Sequence, residues 1–505
     1  MKMYKSFIFL FSVSLYITLF TCEKGKDNNP QNTEEEYQFE EPIISGNTFY
    51  IDPVNGAASG DGSKEKPWRT LQEVFENNFI TFYRHIENYD PQSELEIVNK
   101  EAPVKGGDRL ILLSGYHGYI YISNCIMKKW LTIEAGAGET PVFSQIKFIG
   151  AFQKLYFKNL TILKDSYEGT ENYWEADDVN RNSDACVYLG SNDFWGEGSR
   201  AKLYGLTLKT TTDVSTWGID DWNLKAASGI SLRAVKYIEV VNCHIENVNF
   251  GISVDYGSNQ CKVVNNSVIN FCGDGSRVCS NDVLFAYNII KGCMKVNDNH
   301  DDGIQSFSRG EDNSAGTGVV KNVIIRGNII ISIIDKDNPL NGSLQGIGCF
   351  DGMFDNWIVE NNVIISNTYH GISFYGMTNS KIANNTVIDQ VAGDDVSPWI
   401  MITNHKNGTE SANCSVFNNI ASSSVSIKGN NVTETNNYVI GKANFDSLYT
   451  IFQNPDDNDL HLNNNELNRT KIIDKGIYFK ELISSEFDIE MKLRSDYPDL
   501  GAYEY

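Results

Sequence analysis

The chain is short of positive charge. Its 505 residues carry 42 Lys+Arg against 65 Asp+Glu, a formal net charge of -23 with a pI near 4.7. Such a surface repels phosphate backbones, which argues against a nucleic-acid partner. It weighs mildly against strongly anionic substrates too, unless local basic residues or a bound cation offset the field. Zinc and redox signatures are missing: the ten cysteines and seven histidines include no CxxC and no Cys/His cluster of metal spacing. With Cys22 set aside nine cysteines remain, an odd number that excludes full pairing within one chain, so most read as small buried hydrophobes. Helical periodicity is absent, which excludes a helical solenoid. What is present is apolar bulk: 41% hydrophobic and 12% aromatic residues exclude wholesale disorder and provide for a large core.

The first residues read as an address. Lys2 and Lys5 precede an apolar run from Phe7 to Phe20, too short to span a bilayer, so residues 1–21 are expected to be a signal peptide. The ending Leu19-Phe20-Thr21-Cys22 resembles a bacterial lipoprotein signal. That resemblance implies lipidation of Cys22 and an exported protein of the outer membrane or cell surface. The only membrane contact would be this anchor, and a periplasmic chain with an ordinary secretory signal is the alternative. Residues 22–45 are polar and acidic, as a flexible tether would be. A monomer is expected.

The rest of the chain repeats. Short β-rich runs follow turns of Asn or Gly, among them NNSVIN (265–270), GNIIIS (327–332), NNVIIS (361–366) and NNTVID (384–389). A second series reads Gly-Ile-x-hydrophobic at Gly229, Gly251, Gly303, Gly346 and Gly371, with Gly275 in the same slot. The spacings are 22, 24, 28, 43 and 25 residues, the size of one solenoid turn. Recurrent Asn at one place in each turn would stack into a hydrogen-bonded ladder. The expected fold is all-β, a right-handed parallel β-helix solenoid with an N-terminal cap. Its expected parts are cap and first rungs over 46–150, central helix over 151–445 and closing segment over 446–505.

The segments FYIDPVNGAASGDGSKEKPWRTLQEVF (49–75) and GGDRLILLSGYHG (106–118), with DLGAYEY (499–505), resemble the pectin-lyase-like family of exported bacterial β-helix proteins. The resemblance implies the fold and a capping helix. It does not choose an activity, because one scaffold hosts many.

The chemistry must come from the rungs. Aligned on the repeat glycine, the preceding residue runs Ser228, Phe250, Asp274, Asp302, Gln345, His370, and two residues after it Ser231, Ser253, Arg277, Gln305, Gly348, Ser373. Rungs lie about 4.8 Å apart, so Asp274 and Asp302 are expected to be stacked like charges, a cost that marks functional sites. The candidate catalytic residues are Arg277, His300, Asp302 and His370, with Gln305, Arg309 and Gln345 on the substrate. Two mechanisms fit a polysaccharide in the groove. Resemblance to pectate-lyase-like enzymes implies calcium on Asp274, Asp301 and Asp302, with Arg277 or a histidine taking the proton in β-elimination from a uronate. The order Asp274-Gly275, Asp301-Asp302-Gly303, His370-Gly371-Ile372 resembles polygalacturonase-like hydrolases and implies inverting hydrolysis. Elimination is the first expectation and hydrolysis the second. The third is a non-catalytic glycan-binding surface in which Phe350, Phe354, Trp357 and Tyr375 form a platform.

Overall fold

The computed structural model describes residues 39–87, 90–166, 185–191, 196–389, 396–441, 444, 446–477 and 486–505. The expected signal peptide and Cys22 lie outside the described residues. Each central rung contributes three strands, and like strands of successive rungs pair in parallel. The first face contains Ser228–Arg233, Ile252–Asp255, Ser276–Val278, Asp301–Phe307, Leu344–Asp351, His370–Tyr375 and Trp399–Thr403. The second runs through Asn259–Val264, Asn281–Ala286, Val320–Arg326 and Phe354–Glu360, the third through Ser267–Phe271, Ile289–Cys293, Ile329–Ile331 and Val363–Ser366. The fold is the parallel β-helix that the repeats predict.

The two repeat signals have separate physical causes. Between second and third faces the chain must turn sharply, and the first Asn of each pair adopts a left-handed conformation: φ is 59° at Asn265, 55° at Asn361, 53° at Asn384 and 54° at Asn418. Asn tolerates that region better than most residues. The second Asn points inward, and Asn266, Asn288, Asn328, Asn362, Asn385 and Asn419 donate one to the next at 2.9–3.0 Å. The series glycines answer a different need, since none of them has positive φ. They sit where the third face meets the first. An added Cβ would lie 2.3 Å from Ile290 Cγ2 at Gly275 and 2.5 Å from Ile330 Cγ2 at Gly303. Only glycine lets the corner close on the core.

The ends are handled differently. Thr48–Ile51 pairs in parallel with Arg109–Leu112, and between them the chain makes a helix, Leu71–Glu76, capped by the Thr70 hydroxyl. Leu71 and Val74 are buried against the first rungs, so this helix covers their open end. The C-terminal segment instead folds back along the outer side of the third face. There Leu460, Ile472, Leu500 and Ala502 pack on Val363, Ile365, Ile388 and Ile420. All nine described cysteines are free and buried, as expected.

Candidate functional site

The Asp-Gly corner faces a cleft of about 240 Å³, lined by Phe250, Gly273, Asp274, Arg277, Asp298, Asn299, His300, Asp301 and Gln305. Three elements build it. Strands Ser276–Val278 and Asp301–Phe307 supply the floor, in a register that pairs Arg277 with Gln305 and so stacks Asp274 beside Asp302. The segment between Cys293 and Asp301 supplies the wall with Asp298, Asn299 and His300, and carries Lys295, which pairs with Asp301. A short helix, Ile219–Lys225, braces that wall: Trp222 packs with Cys272, Met294 and Val296, and Asn223 Nδ2 donates to the Val296 carbonyl at 2.8 Å.

The carboxyls are buried and unequal. Asp274 accepts from Arg277 Nε at 2.6 Å and from the Asp302 backbone N–H at 3.1 Å. Arg277 in turn lies 4.1 Å over the Phe250 ring. Asp302 is 0% exposed, accepts from Gln305 Nε2 at 3.0 Å on one oxygen, and leaves the other without a hydrogen bond. Asp301 has Lys295 Nζ at 3.5 Å as an ion-pair partner, yet neither carboxyl oxygen has a hydrogen bond of good geometry. Burial raises the affinity of all three for a proton. For Asp302 burial and then the Asp274 charge push it well above the usual range; for Asp274 burial raises it while Arg277 pulls back. Asp301 is pushed up to about 7, by burial first, with Lys295 opposing and Asp274 assisting. Within the stacked pair the upward push is the stronger on Asp302, because Arg277 bonds to Asp274 and the Asp274 charge adds to burial at Asp302.

Several expected roles change. Arg277 is no proton acceptor: burial works against its charge, but Asp274 outweighs that and holds the guanidinium above its usual value. Asp302 belongs to the cluster but not to the cleft lining, and is wholly buried beside Asp274. Gln305 lines the cleft, whereas Arg309 turns into its own loop, donating to the Asn313 carbonyl at 2.6 Å and covering the Phe307 ring. Gln345 occupies the next rung beside Asp302, its Oε1 buried and unbonded. His370 stands apart among aromatic rings, with Nδ1 2.9 Å from Ser373 Oγ, and burial lowers its proton affinity. Phe354 and Trp357, expected on a sugar platform, are wholly buried core. Lys295 was not foreseen, because it lies far from the repeat glycine, and Phe250 stands in the column before the glycine without an assigned role.

The residues do not assemble as a calcium site. Both Asp274 oxygens are engaged, and among the described residues no group of three or more His, Cys, Asp or Glu side chains is placed to hold a metal ion.

No family model and no curated protein sequence matches the chain. Among solved structures it is similar to the pectate lyase Pel9A, at 14% identity over 92% of this chain and 97% of that one, TM-score 0.42. It is also similar to a rhamnogalacturonan lyase, at 14% identity over 78% and 87%, TM-score 0.43. A third is XylC in complex with xylose, at 10% identity over 90% and 98%, TM-score 0.47. These identities carry no residue role across.

Proposed function

We propose that the chain cleaves a glycan lying along the first face, by inverting hydrolysis with Asp301 as general acid and Asp274 as general base. One observation carries the reading: two carboxyls line one cleft with unlike partners, Asp301 pushed up to about 7 chiefly by burial, and Asp274 bonded at 2.6 Å to Arg277, whose charge opposes the upward push of burial. Paired carboxyls with separated proton affinities are what acid–base cleavage needs. In the reaction Asp301 gives its proton to the glycosidic oxygen as the bond to the anomeric carbon breaks. Asp274 takes a proton from the water whose oxygen forms the new bond on the opposite face. One water is consumed, and the two carboxyls exchange proton states until solvent resets them. Arg277, stacked on Phe250, keeps Asp274 charged and aimed.

Elimination from a uronate is the second reading, favoured by His300, an exposed imidazole on the cleft wall. It ranks below hydrolysis because Arg277, the arginine that lines the cleft, is already paired with Asp274, and the neighbouring Lys295 with Asp301. A uronate carboxylate would meet a floor that is negative or neutral.

The test is a panel of neutral and uronate polysaccharides, with reducing ends and ultraviolet absorbance followed together. Reducing ends without new absorbance, lost in Asp301→Asn, is the expected result. Absorbance rising with reducing ends means unsaturated termini and replaces hydrolysis with elimination. No product from any glycan overturns the enzymatic reading.

A further inference from the structure

Beyond the acid cleft, in the same column, lies an uncharged aromatic group. The register that pairs Asp302 with Gln345 and Ile347 with Ile372 leads on to His370, and His370 pairs with Trp399. At about 4.8 Å per rung, Trp399 is roughly 14 Å along the axis from Asp302. Tyr369 and Trp399 stack with ring centroids 5.3 Å apart, and Tyr369 is 42% exposed. His370 stands edge-on to Trp399 at 5.1 Å and to Phe350 at 4.9 Å, and Phe350 reaches Tyr375 at 5.4 Å. The Trp399 ring is fixed in place, because Nε1 donates to Ser373 Oγ at 3.1 Å and the same oxygen meets His370 Nδ1.

The two regions adjoin at Gly348. At Gly348 an added Cβ would lie 2.0 Å from Asp302 Oδ1 and 2.8 Å from Phe350 Cε2. The buried acid and the first aromatic ring thus share the space that this missing side chain leaves. A chain molecule in the cleft that continues along the face meets these rings next.

We infer that Tyr369 and Trp399 form a stacking subsite for an uncharged pyranose ring of the same glycan, about three rungs from the acid cleft. The inference rests on the hydrolytic reading and names its substrate class: a neutral polysaccharide, bound along the solenoid axis. Aromatic faces bind the C–H faces of sugars, and a ring already held by Ser373 loses little freedom on binding. The rings, Ser373 and an imidazole whose proton affinity burial lowers offer a carboxylate no cation, so a uronate gains no ion pair from them.

The test compares wild type, Tyr369→Ala, Trp399→Ala and Trp399→Phe on short and long xylo-, manno-, cello- and galacto-oligosaccharides and on oligogalacturonates. Calorimetry reads binding, and KM against kcat reads turnover. The expected result is a roughly tenfold loss of affinity for long neutral chains in both alanine variants, partly rescued in Trp399→Phe, and a smaller loss on short chains. Tyr369 is exposed, so its variant avoids a folding defect. Equal losses on short and long chains, no loss in Tyr369→Ala, or binding confined to oligogalacturonates overturns the subsite, as does failure of every neutral probe to bind. Length-dependent binding lost in the variants of a protein without turnover keeps the subsite and removes the hydrolytic reading; turnover with unaltered length dependence does the reverse.

Discussion

Two buried polar stripes run along this solenoid, and they differ in one respect. At the corner between second and third faces, each inward Asn from Asn266 to Asn385 gives its amide hydrogens to a neighbouring Asn and to a backbone carbonyl, and its oxygen accepts in turn. At the corner between third and first faces, Asp301 and Asp302 keep three buried oxygens without a hydrogen bond. Nothing about burial separates the stripes; Asn328 and Asp302 are both 0% exposed. The satisfied stripe stabilises the fold. The unsatisfied one costs stability, and the proposed site would account for a cost carried beside a cleft.

The comparison can be broken most forcefully at the cleft. Asp301→Asn and Asp274→Asn are expected to lower turnover by a factor of about 10²–10⁴, the usual worth of a positioned acid or base, with the fold retained by circular dichroism. Asn328→Ala attacks the other stripe. It strands the Asn288 amide and the Phe285 carbonyl, and should cost about 2–4 kcal/mol in denaturant unfolding while leaving the chemical step alone. Gly303→Ala forces a methyl toward Ile330 at the cleft corner and should cost about 1–3 kcal/mol by the same assay.

The smallest effect is a pH slope. Asp301 ionises near the ordinary carboxylate value of 3.8 when unfolded and at about 7 when folded. Between those values the unfolded chain has released the proton and the folded chain has not, so stability is full below about pH 4 and is lost as pH rises through about 7. The slope of Tm against pH across that window should flatten in Asp301→Asn. Turnover should fall on the alkaline side as the general acid loses its proton; a plateau instead would remove Asp301 from that role.

Much of the fold was legible in the sequence, because each repeat signal reports a hard local constraint. The Asn pairs name a left-handed turn with its ladder, and the series glycines name a corner with no room for Cβ. The site was legible in part. Column alignment brought Asp274, Asp302, Arg277 and Gln305 together, since register follows from the repeat. It could not tell which carboxyl faces the cleft, because adjacent residues such as Asp301 and Asp302 diverge in ways that depend on the bend at Gly303. Lys295 and Tyr369 come from segments between strands, whose path no repeat specifies, and Trp399 opens a strand that carries no Gly-Ile signal. Phe354 and Trp357 misled for the opposite reason: they are aromatic and near the stripe in sequence, but their strand turns them into the core.

The most direct measurement needs no substrate: the Tm of Asp301→Asn beside that of Asn328→Ala, each against wild type, at about pH 8 where the wild-type carboxyl is charged. The account predicts a higher Tm for Asp301→Asn, since a buried charge without hydrogen bonds is removed, and a lower Tm for Asn328→Ala. A fall in both would mean that the two stripes serve the same structural purpose, and would contradict the assignment of the Asp-Gly corner as the site.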